Sequence, residues 1–157
     1  IGMIEVRGPN VFKGYWNMPD KTALELRKTG YFITGDLGKL SSDGYLSIVG
    51  RQKDLIISGA YNVYPKEIED ILNELNQFNE TAVFGIPDND LGERVVAAIV
   101  LKNNKNFNQS KIEVFVNKKL ARYKQPKEYF VLDTLPRNSM GKVQKNELRK
   151  RFSKKIK

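Results

Sequence analysis

An unbroken apolar run from Val95 to Leu101 sets the strongest limit on the fold of this chain. A strand with one solvated face alternates apolar and polar residues, whereas a continuous run rich in β-branched residues is typical of a central strand. Two further apolar segments, Thr81 to Ile86 and Tyr129 to Leu132, predict additional strands. The three segments together predict a sheet.

Three amphipathic helices are predicted to flank that sheet. One begins at Pro65, one begins at Ser110 with Glu113 completing a capping box, and one runs from Gln144 to Phe152. Residues 55–157 should therefore form a small α+β domain, with a three-stranded sheet flanked by helices.

Residues 1–50 have a different pattern, in which short strands alternate with turns. The turn signal Ser42-Asp43-Gly44 precedes the apolar segment Tyr45 to Val49, and a short helix is predicted from Pro19. This part is predicted to be antiparallel and β-rich. The polar segment 51–54 follows it and is predicted to be a hinge between two domains.

The composition excludes several kinds of catalytic site. The chain has no cysteine and no histidine, which removes thiol nucleophiles, imidazole acid-base catalysis and zinc sites built from these residues. The remaining chemistry rests on lysine, arginine, carboxylates and backbone dipoles. Such groups handle phosphates and developing negative charge well.

The net charge of +9 is concentrated at the end of the chain. Eight basic residues lie from Lys142 onward, opposed there by Glu147 alone. This tail is compatible with a nucleic-acid patch, with a surface for the phosphates of a nucleotide, or with a solvated helix end. Phe152 is its one aromatic residue, whereas modules that stack bases interleave aromatics with charges.

Three short segments contain residues suited to phosphate or sugar recognition. Leu135 to Lys142 presents a lysine on a glycine-containing turn, Gly30 to Gly38 places Asp36 between glycines, and Gly50 to Asp54 places Arg51 just after an apolar strand. Taken singly, these are also the residues of a solvated helix cap, a turn aspartate and a surface loop.

In their order along the chain, the three segments resemble the motifs of the adenylate-forming enzymes, which include acyl-CoA synthetases, luciferases and the adenylation domains of peptide synthetases. The resemblance implies that Lys142 is the adenylation catalyst, delivered by a mobile C-terminal domain. It implies that Asp36 and Arg51 bind the ribose of ATP or AMP. Lys53 would be the pivot of the domain rotation, with Asp54 as its structural partner.

Ser58, Gly59 and Ala60 match the family's loop that faces the pantetheine arm of CoA after rotation. The family usually has glycine where Ala60 stands. A β-carbon there would intrude on the thiol arm, or would strain a backbone position that needs a positive φ.

The resemblance is closest to AMP-forming acyl-CoA synthetases of the malonyl-CoA synthetase type. It implies that residues 1–50 are the end of a large N-terminal domain, that 51–54 are the hinge and that 55–157 are the mobile domain. ATP and CoA are the expected cofactors, with Mg²⁺ in the full-length enzyme and no metal ligand in this chain. The fragment alone is expected to be inactive.

The expected partners are a small carboxylate, ATP, CoA and the N-terminal domain of the same protein. The expected location is the cytoplasm, and no membrane span is expected. Nucleic acid is not an expected partner. A basic nucleic-acid-binding module, or an adenylation domain with another acceptor, is the alternative function.

Overall fold

The computed structural model describes residues 1–103 and 105–153. The chain divides into two compact units, Ile1–Lys53 and Asp54–Lys157, and each has its own sheet. The division falls within the segment 51–54, of which Gln52–Asp54 forms a single 3₁₀ turn. The rotation predicted for this segment stays a prediction.

The first unit is built on an antiparallel sheet of three strands in the order β1-β2-β3. Its elements are β1 (Gly2–Val6), α1 (Pro19–Glu25), β2 (Phe32–Leu40) and β3 (Leu46–Arg51). Pro19 occupies the first turn of α1, where the missing N–H of proline needs no partner. Gly44, with φ of +88°, lies in the turn from β2 to β3. The predicted β-rich, antiparallel character is confirmed.

The second unit contains eight helices and strands within the described residues. They are β4 (Ile56–Ser58), β5 (Tyr61–Val63), α2 (Pro65–Asn73), β6 (Phe78–Asp88), β7 (Gly92–Leu101), α3 (Gln109–Lys119), β8 (Glu128–Leu132) and α4 (Lys145–Ser153). Strand β7 is central, because it pairs antiparallel with β4 and β6 and parallel with β8.

The sheet of the second unit has five strands rather than the three predicted. The predicted strands are β6, β7 and β8, and the hairpin β4–β5 adds two more. Each hairpin strand has only three residues, which is too short for a hydrophobic alternation to be recognised in the sequence. The α+β class and the flanking helices are confirmed.

Both faces of β7 are buried, which explains its uninterrupted apolar sequence. On one face Val95, Ala97 and Ile99 share a core with residues of α2 and α3, and on the other Val96, Ala98 and Val100 share a core with residues of α4. Helices therefore cover the sheet on two sides. Leu148 and Phe152 of α4 point inward, as predicted.

The cap of helix α3 lies two residues before the predicted cap, Ser110. The cap is Asn108, whose side chain accepts a hydrogen bond from the backbone of Lys111 at 3.0 Å. The prediction of Ser110 as the capping residue was therefore wrong, because the side-chain oxygen of Asn108 already accepts the N–H at the third helical position.

Of the helices in the described part of the chain, none is long and apolar enough to cross a membrane.

Candidate functional site

Asp36 and Arg51 lie opposite each other on neighbouring strands of the first unit. Asp36 of β2 is the register partner of Arg51 at the end of β3. Nε of Arg51 lies 2.6 Å from Oδ1 of Asp36 in an ion pair. A carboxylate accepts about four hydrogen bonds, so Asp36 keeps capacity for the hydroxyls of a sugar.

The backbone around Asp36 is fixed by its neighbours. Gly35 has φ of +75°, a conformation that glycine adopts without strain. The hydroxyl of Thr34 accepts the N–H of Asp36 at 3.0 Å and donates to the carbonyl of Ile4 at 2.9 Å. Asp36 is thus held on a strand, not on a solvated turn.

An open pocket of about 740 Å³ surrounds this pair. Besides Asp36 and Arg51, Lys53 lines it, so three residues assigned from the sequence line one pocket. Tyr15 and Lys21 also line it, with the Lys21 ammonium 4.2 Å from the centre of the Tyr15 ring. Neither residue was predicted to lie in a site. The only signal in the sequence was the adjacent aromatic pair Tyr15 and Trp16, which precedes α1.

Tyr15 is tied to the same helix by its phenol. The hydroxyl donates to Oε2 of Glu25 at 2.5 Å, and this hydrogen bond raises the pKa of Tyr15 above its ordinary value. The backbone N–H of Tyr15 donates to the hydroxyl of Thr22 at 2.9 Å. Helix α1 therefore forms one wall of the pocket.

Asp54, the first residue of the second unit, pairs with the last helix described. Its Oδ1 lies 3.3 Å from Nη2 of Arg149 on α4. The structural role predicted for Asp54 thus has a specific partner within its own unit.

Lys142 lies on a turn whose backbone is held by Asn138. Oδ1 of Asn138 accepts the N–H groups of Met140 at 3.1 Å and Lys142 at 2.9 Å. The N–H of Asn138 donates to the carbonyl of Lys142 at 3.0 Å. Between these residues Gly141 has φ of +78°. Asn138 therefore shapes this turn, together with Arg137, whose contacts are described below.

The side chain of Lys142 differs from the cations around it. Lys145 pairs with Glu69 at 2.7 Å, Arg137 with Glu80 at 2.7 Å and Arg149 with Asp54. Within residues 1–103 and 105–153, no carboxylate is paired with the exposed ammonium of Lys142. The turn therefore combines a fixed backbone with a cation that is available to a ligand.

Ser58, Gly59 and Ala60 form the tight turn of the β4–β5 hairpin. Gly59 and Ala60 have φ of +55° and +67°, the pattern of a two-residue hairpin turn in which both central residues are left-handed. The N–H of Gly59 donates to the carbonyl of Leu91 at 2.9 Å, and Ser58 is buried. The positive φ considered from the sequence for Ala60 is present.

The two candidate turns of the second unit lie at opposite ends of strand β6. Arg137 connects the Lys142 turn to Glu80 near the start of β6. The Ser58–Ala60 turn pairs with Gly92, which is itself opposite Asp88 at the end of β6. Eight residues at about 3.3 Å per residue separate these ends by roughly 25 Å.

The loop whose Leu91 carbonyl accepts the N–H of Gly59 is fixed by Asp88. Oδ1 of Asp88 accepts the N–H groups of Asp90 and Leu91, both at 3.0 Å. These two bonds favour the ionised carboxylate and hold the pKa of Asp88 below its ordinary value. The sequence motifs did not identify Asp88 or Glu80, since both lie outside them.

Comparison with known proteins shows what this chain is similar to. Residues 67–142 match the model of the AMP-binding enzyme C-terminal domain. A long-chain-fatty-acid–CoA ligase of Bacillus subtilis is 42% identical over 147 residues, covering 94% of this chain and 26% of the relative. An indoleacetate–CoA ligase of Aromatoleum aromaticum is 44% identical over 154 residues, covering 98% of this chain and 30% of the relative. The chain thus spans less than a third of the length of either relative.

A solved structure gives a similar result. ATP-bound MatB from Rhodopseudomonas palustris is 49% identical, with a TM-score of 0.92 over 99% of this chain and 31% of that one. The apo form of MatB matches with the same coverage, 50% identity and a TM-score of 0.73. The matched region of MatB therefore differs in shape between its ATP-bound and apo structures.

Proposed function

Because residues 67–142 match the AMP-binding enzyme C-terminal domain, we propose that this chain is the C-terminal part of an ATP-dependent acyl-CoA synthetase. In the first half-reaction a carboxylate oxygen attacks the α-phosphorus of ATP and pyrophosphate leaves. In the second, the sulfur of CoA attacks the acyl carbon of the acyl-adenylate and AMP leaves. The thiol proton is released to solvent.

The separation of the two turns of the second unit carries this proposal. The Lys142 turn and the Ser58–Ala60 turn lie roughly 25 Å apart along one strand, so a single orientation of the unit cannot bring both to the same substrate. Two half-reactions at one site then require two orientations of this unit. Lys53, beside the division between the units, is the proposed pivot, and the two shapes of MatB support such a change.

In the first half-reaction, Lys142 is proposed to lie between the substrate carboxylate and the α-phosphate. A compact ammonium on a flexible stem suits a charge that must reach the reacting groups and withdraw again. Preorganised positive charge stabilises the negative charge that develops in the transition state. The fixed backbone of the turn and the unpaired ammonium support this role.

Asp36 and Arg51 are proposed to hold the ribose of ATP and then of AMP. Their ion pair fixes the carboxylate, whose remaining lone pairs accept the two hydroxyls of the sugar. The pocket that contains them also contains Lys21, a cation for the nucleotide phosphates. Nucleotide binding in this pocket is thus independent of the orientation of the second unit.

In the second half-reaction, the hairpin turn Ser58–Ala60 is proposed to face the pantetheine arm of CoA. A two-residue turn with glycine at its first position allows close approach of a ligand to the backbone. Ala60 adds one methyl group at the second position.

ATP would reach the site with Mg²⁺. The described residues contain no group of three or more His, Cys, Asp or Glu side chains placed to hold a metal ion. We assign no step of the mechanism to the ion.

The first unit is proposed to pack against a further domain of the same protein. Several of its large apolar side chains are exposed, with Trp16 at 89%, and others on α1 and β3 include Leu24, Leu46 and Ile48. A small sheet that exposes such side chains favours a covering partner.

A lysine substitution in the full-length protein tests the proposed function. Lys142→Ala should lower adenylation by at least about a hundredfold, measured as ATP–pyrophosphate exchange. The similarity of the motifs to malonyl-CoA synthetases makes malonate the first acid to test. The same variant should form thioester from supplied acyl-adenylate and CoA at the wild-type rate. Lys118→Ala, on the exposed side of α3, is the matched control, and equal loss of both half-reactions in Lys142→Ala would contradict the assignment.

A further inference from the structure

The turn that carries Lys142 is tied to the sheet by the two arms of one guanidinium. Nη2 of Arg137 donates to Oε2 of Glu80 at 2.7 Å, and Nη1 donates to the carbonyl of Gly141 at 2.5 Å. Glu80 belongs to β6, 57 residues earlier in the chain than Arg137. The fork therefore connects the sheet to the residue that immediately precedes Lys142.

The peptide group between Gly141 and Lys142 is held at both of its polar ends. Arg137 binds its carbonyl, and Oδ1 of Asn138 binds its N–H at 2.9 Å. Glycine rotates more freely than any other residue, and Gly141 has φ of +78°. Two anchors on one peptide plane remove that freedom, so they fix the direction in which the side chain of Lys142 leaves the backbone.

We infer that Glu80 is a positioning residue for Lys142 and acts through Arg137; this inference rests on the adenylation role proposed for Lys142. The carboxylate holds one arm of the guanidinium, so the other arm stays directed at the carbonyl of Gly141. Asn138 belongs to the turn itself, whereas Glu80 anchors the guanidinium of Arg137 to strand β6 of the sheet.

The position of Glu80 in β6 supports this assignment. The pairing of β6 with β7 shifts register between Phe78 and Glu80, and such irregularities redirect side chains at functional places in a sheet. The side chains of Arg137 and Glu80 are 42% and 34% exposed. Ion pairs as exposed as this one contribute little to stability, so its main effect is on the geometry of the turn.

The test measures the two half-reactions separately in the full-length protein. Glu80→Gln keeps the shape of the side chain but removes its charge. It should lower the kcat of adenylation about tenfold, because small misplacement of a catalytic group slows the reaction strongly, while the KM for ATP stays unchanged. Thioester formation from supplied acyl-adenylate should also stay unchanged. Arg137→Lys, which has one ammonium in place of a fork, should show the same selective loss.

Two controls separate positioning from general stability. Glu74→Gln removes the carboxylate of another exposed ion pair of the second unit, with Lys119, and should leave both half-reactions unchanged. The charge reversal Glu80→Arg with Arg137→Glu restores a pair of opposite charges but leaves no donor at position 137 for the carbonyl of Gly141. It should not restore adenylation.

The outcomes distinguish this inference from the proposed function. If Lys142→Ala abolishes adenylation and Glu80→Gln does not lower it, the inference alone is wrong. If Glu80→Gln lowers both half-reactions equally, or if the charge reversal restores the wild-type rate, Glu80 has only a structural role. If Lys142→Ala retains adenylation, the proposed function itself fails.

Discussion

Ala60 occupies a backbone conformation that favours glycine, at the tip of a hairpin proposed to face CoA. Its φ of +67° lies in the left-handed region, where a β-carbon crowds the backbone. Asn17, with φ of +51°, is the other described residue besides glycine with a positive φ, and asparagine tolerates this region better than alanine. The strain at Ala60 is local to a turn that already contains one glycine.

Replacing Ala60 by glycine should stabilise the chain. The gain from relieving the left-handed conformation exceeds the entropy that glycine adds to the unfolded state, leaving about 0.5–1 kcal/mol. The urea midpoint of unfolding should rise. Ala121→Gly is the control, because Ala121 has an ordinary φ of −59°; its midpoint should fall. A decrease of similar size in both variants would show that Ala60 is not strained.

At this scale the sequence selected candidate residues but not their contacts. Asp36, Arg51 and Lys142 were selected by motif, and the positive φ at Ala60 was considered from a missing glycine. The pairing of Asp36 with Arg51 was not predicted, because it depends on a register shift between Leu37 and Gly38 that has no signal in the sequence.

Helix α4 follows the Lys142 turn directly, and two of its cations are attached to two other elements. Lys145 contacts Glu69 of α2, and Arg149 contacts Asp54 at the start of the unit. Glu69 also accepts the N–H of Val83 in β6 at 2.8 Å. The side chains of Lys145 and Glu69 are 16% and 19% exposed, so this pair is partly withdrawn from water.

Removing the carboxylate of Glu69 should destabilise the second unit. Glu69→Ala leaves the ammonium of Lys145 and the N–H of Val83 without their partner, at a cost of about 2–3 kcal/mol in the free energy of unfolding. Asp70→Ala, one residue further along α2, removes an exposed partner of Lys66 and should cost less than about 0.5 kcal/mol. Urea unfolding of the two variants compares them, and equal losses would contradict the prediction.

Elements of ordinary length were predicted well, and short ones were not. The apolar stripes of α2 and α4 and the run in β7 were sufficient to identify these elements. The hairpin β4–β5 was missed because three residues show no period, and the start of α3 was misplaced because Asn108 and Ser110 are both good caps.

On the scale of the whole molecule, part of the positive charge near the end of the described residues is paired with carboxylates. Among the described residues, Arg137, Lys145 and Arg149 each pair with a carboxylate of the second unit. Lys154, Lys155 and Lys157 lie outside the described residues. The sequence alone left nucleic-acid binding open because it gives the number of charges but not which of them are paired.

The chain should not bind nucleic acid in a salt-dependent manner, because Lys145 and Arg149 of the tail are paired and Phe152 is the tail's one aromatic residue. Filter binding to single-stranded and duplex DNA between 50 and 200 mM salt, about the range over which phosphate contacts lose most affinity, should give no measurable slope. A slope equivalent to several released counterions would favour the alternative function, that of a basic nucleic-acid-binding module.

The ion pair between Asp54 and Arg149 brings the beginning of the second unit beside its final helix. A first residue that contacts the last described helix makes the unit a candidate for circular permutation. A flexible linker would join the end of the unit to residue 54. The natural connection to the first unit could then be cut, and the permuted unit would tell whether its fold depends on the chain entering at Asp54.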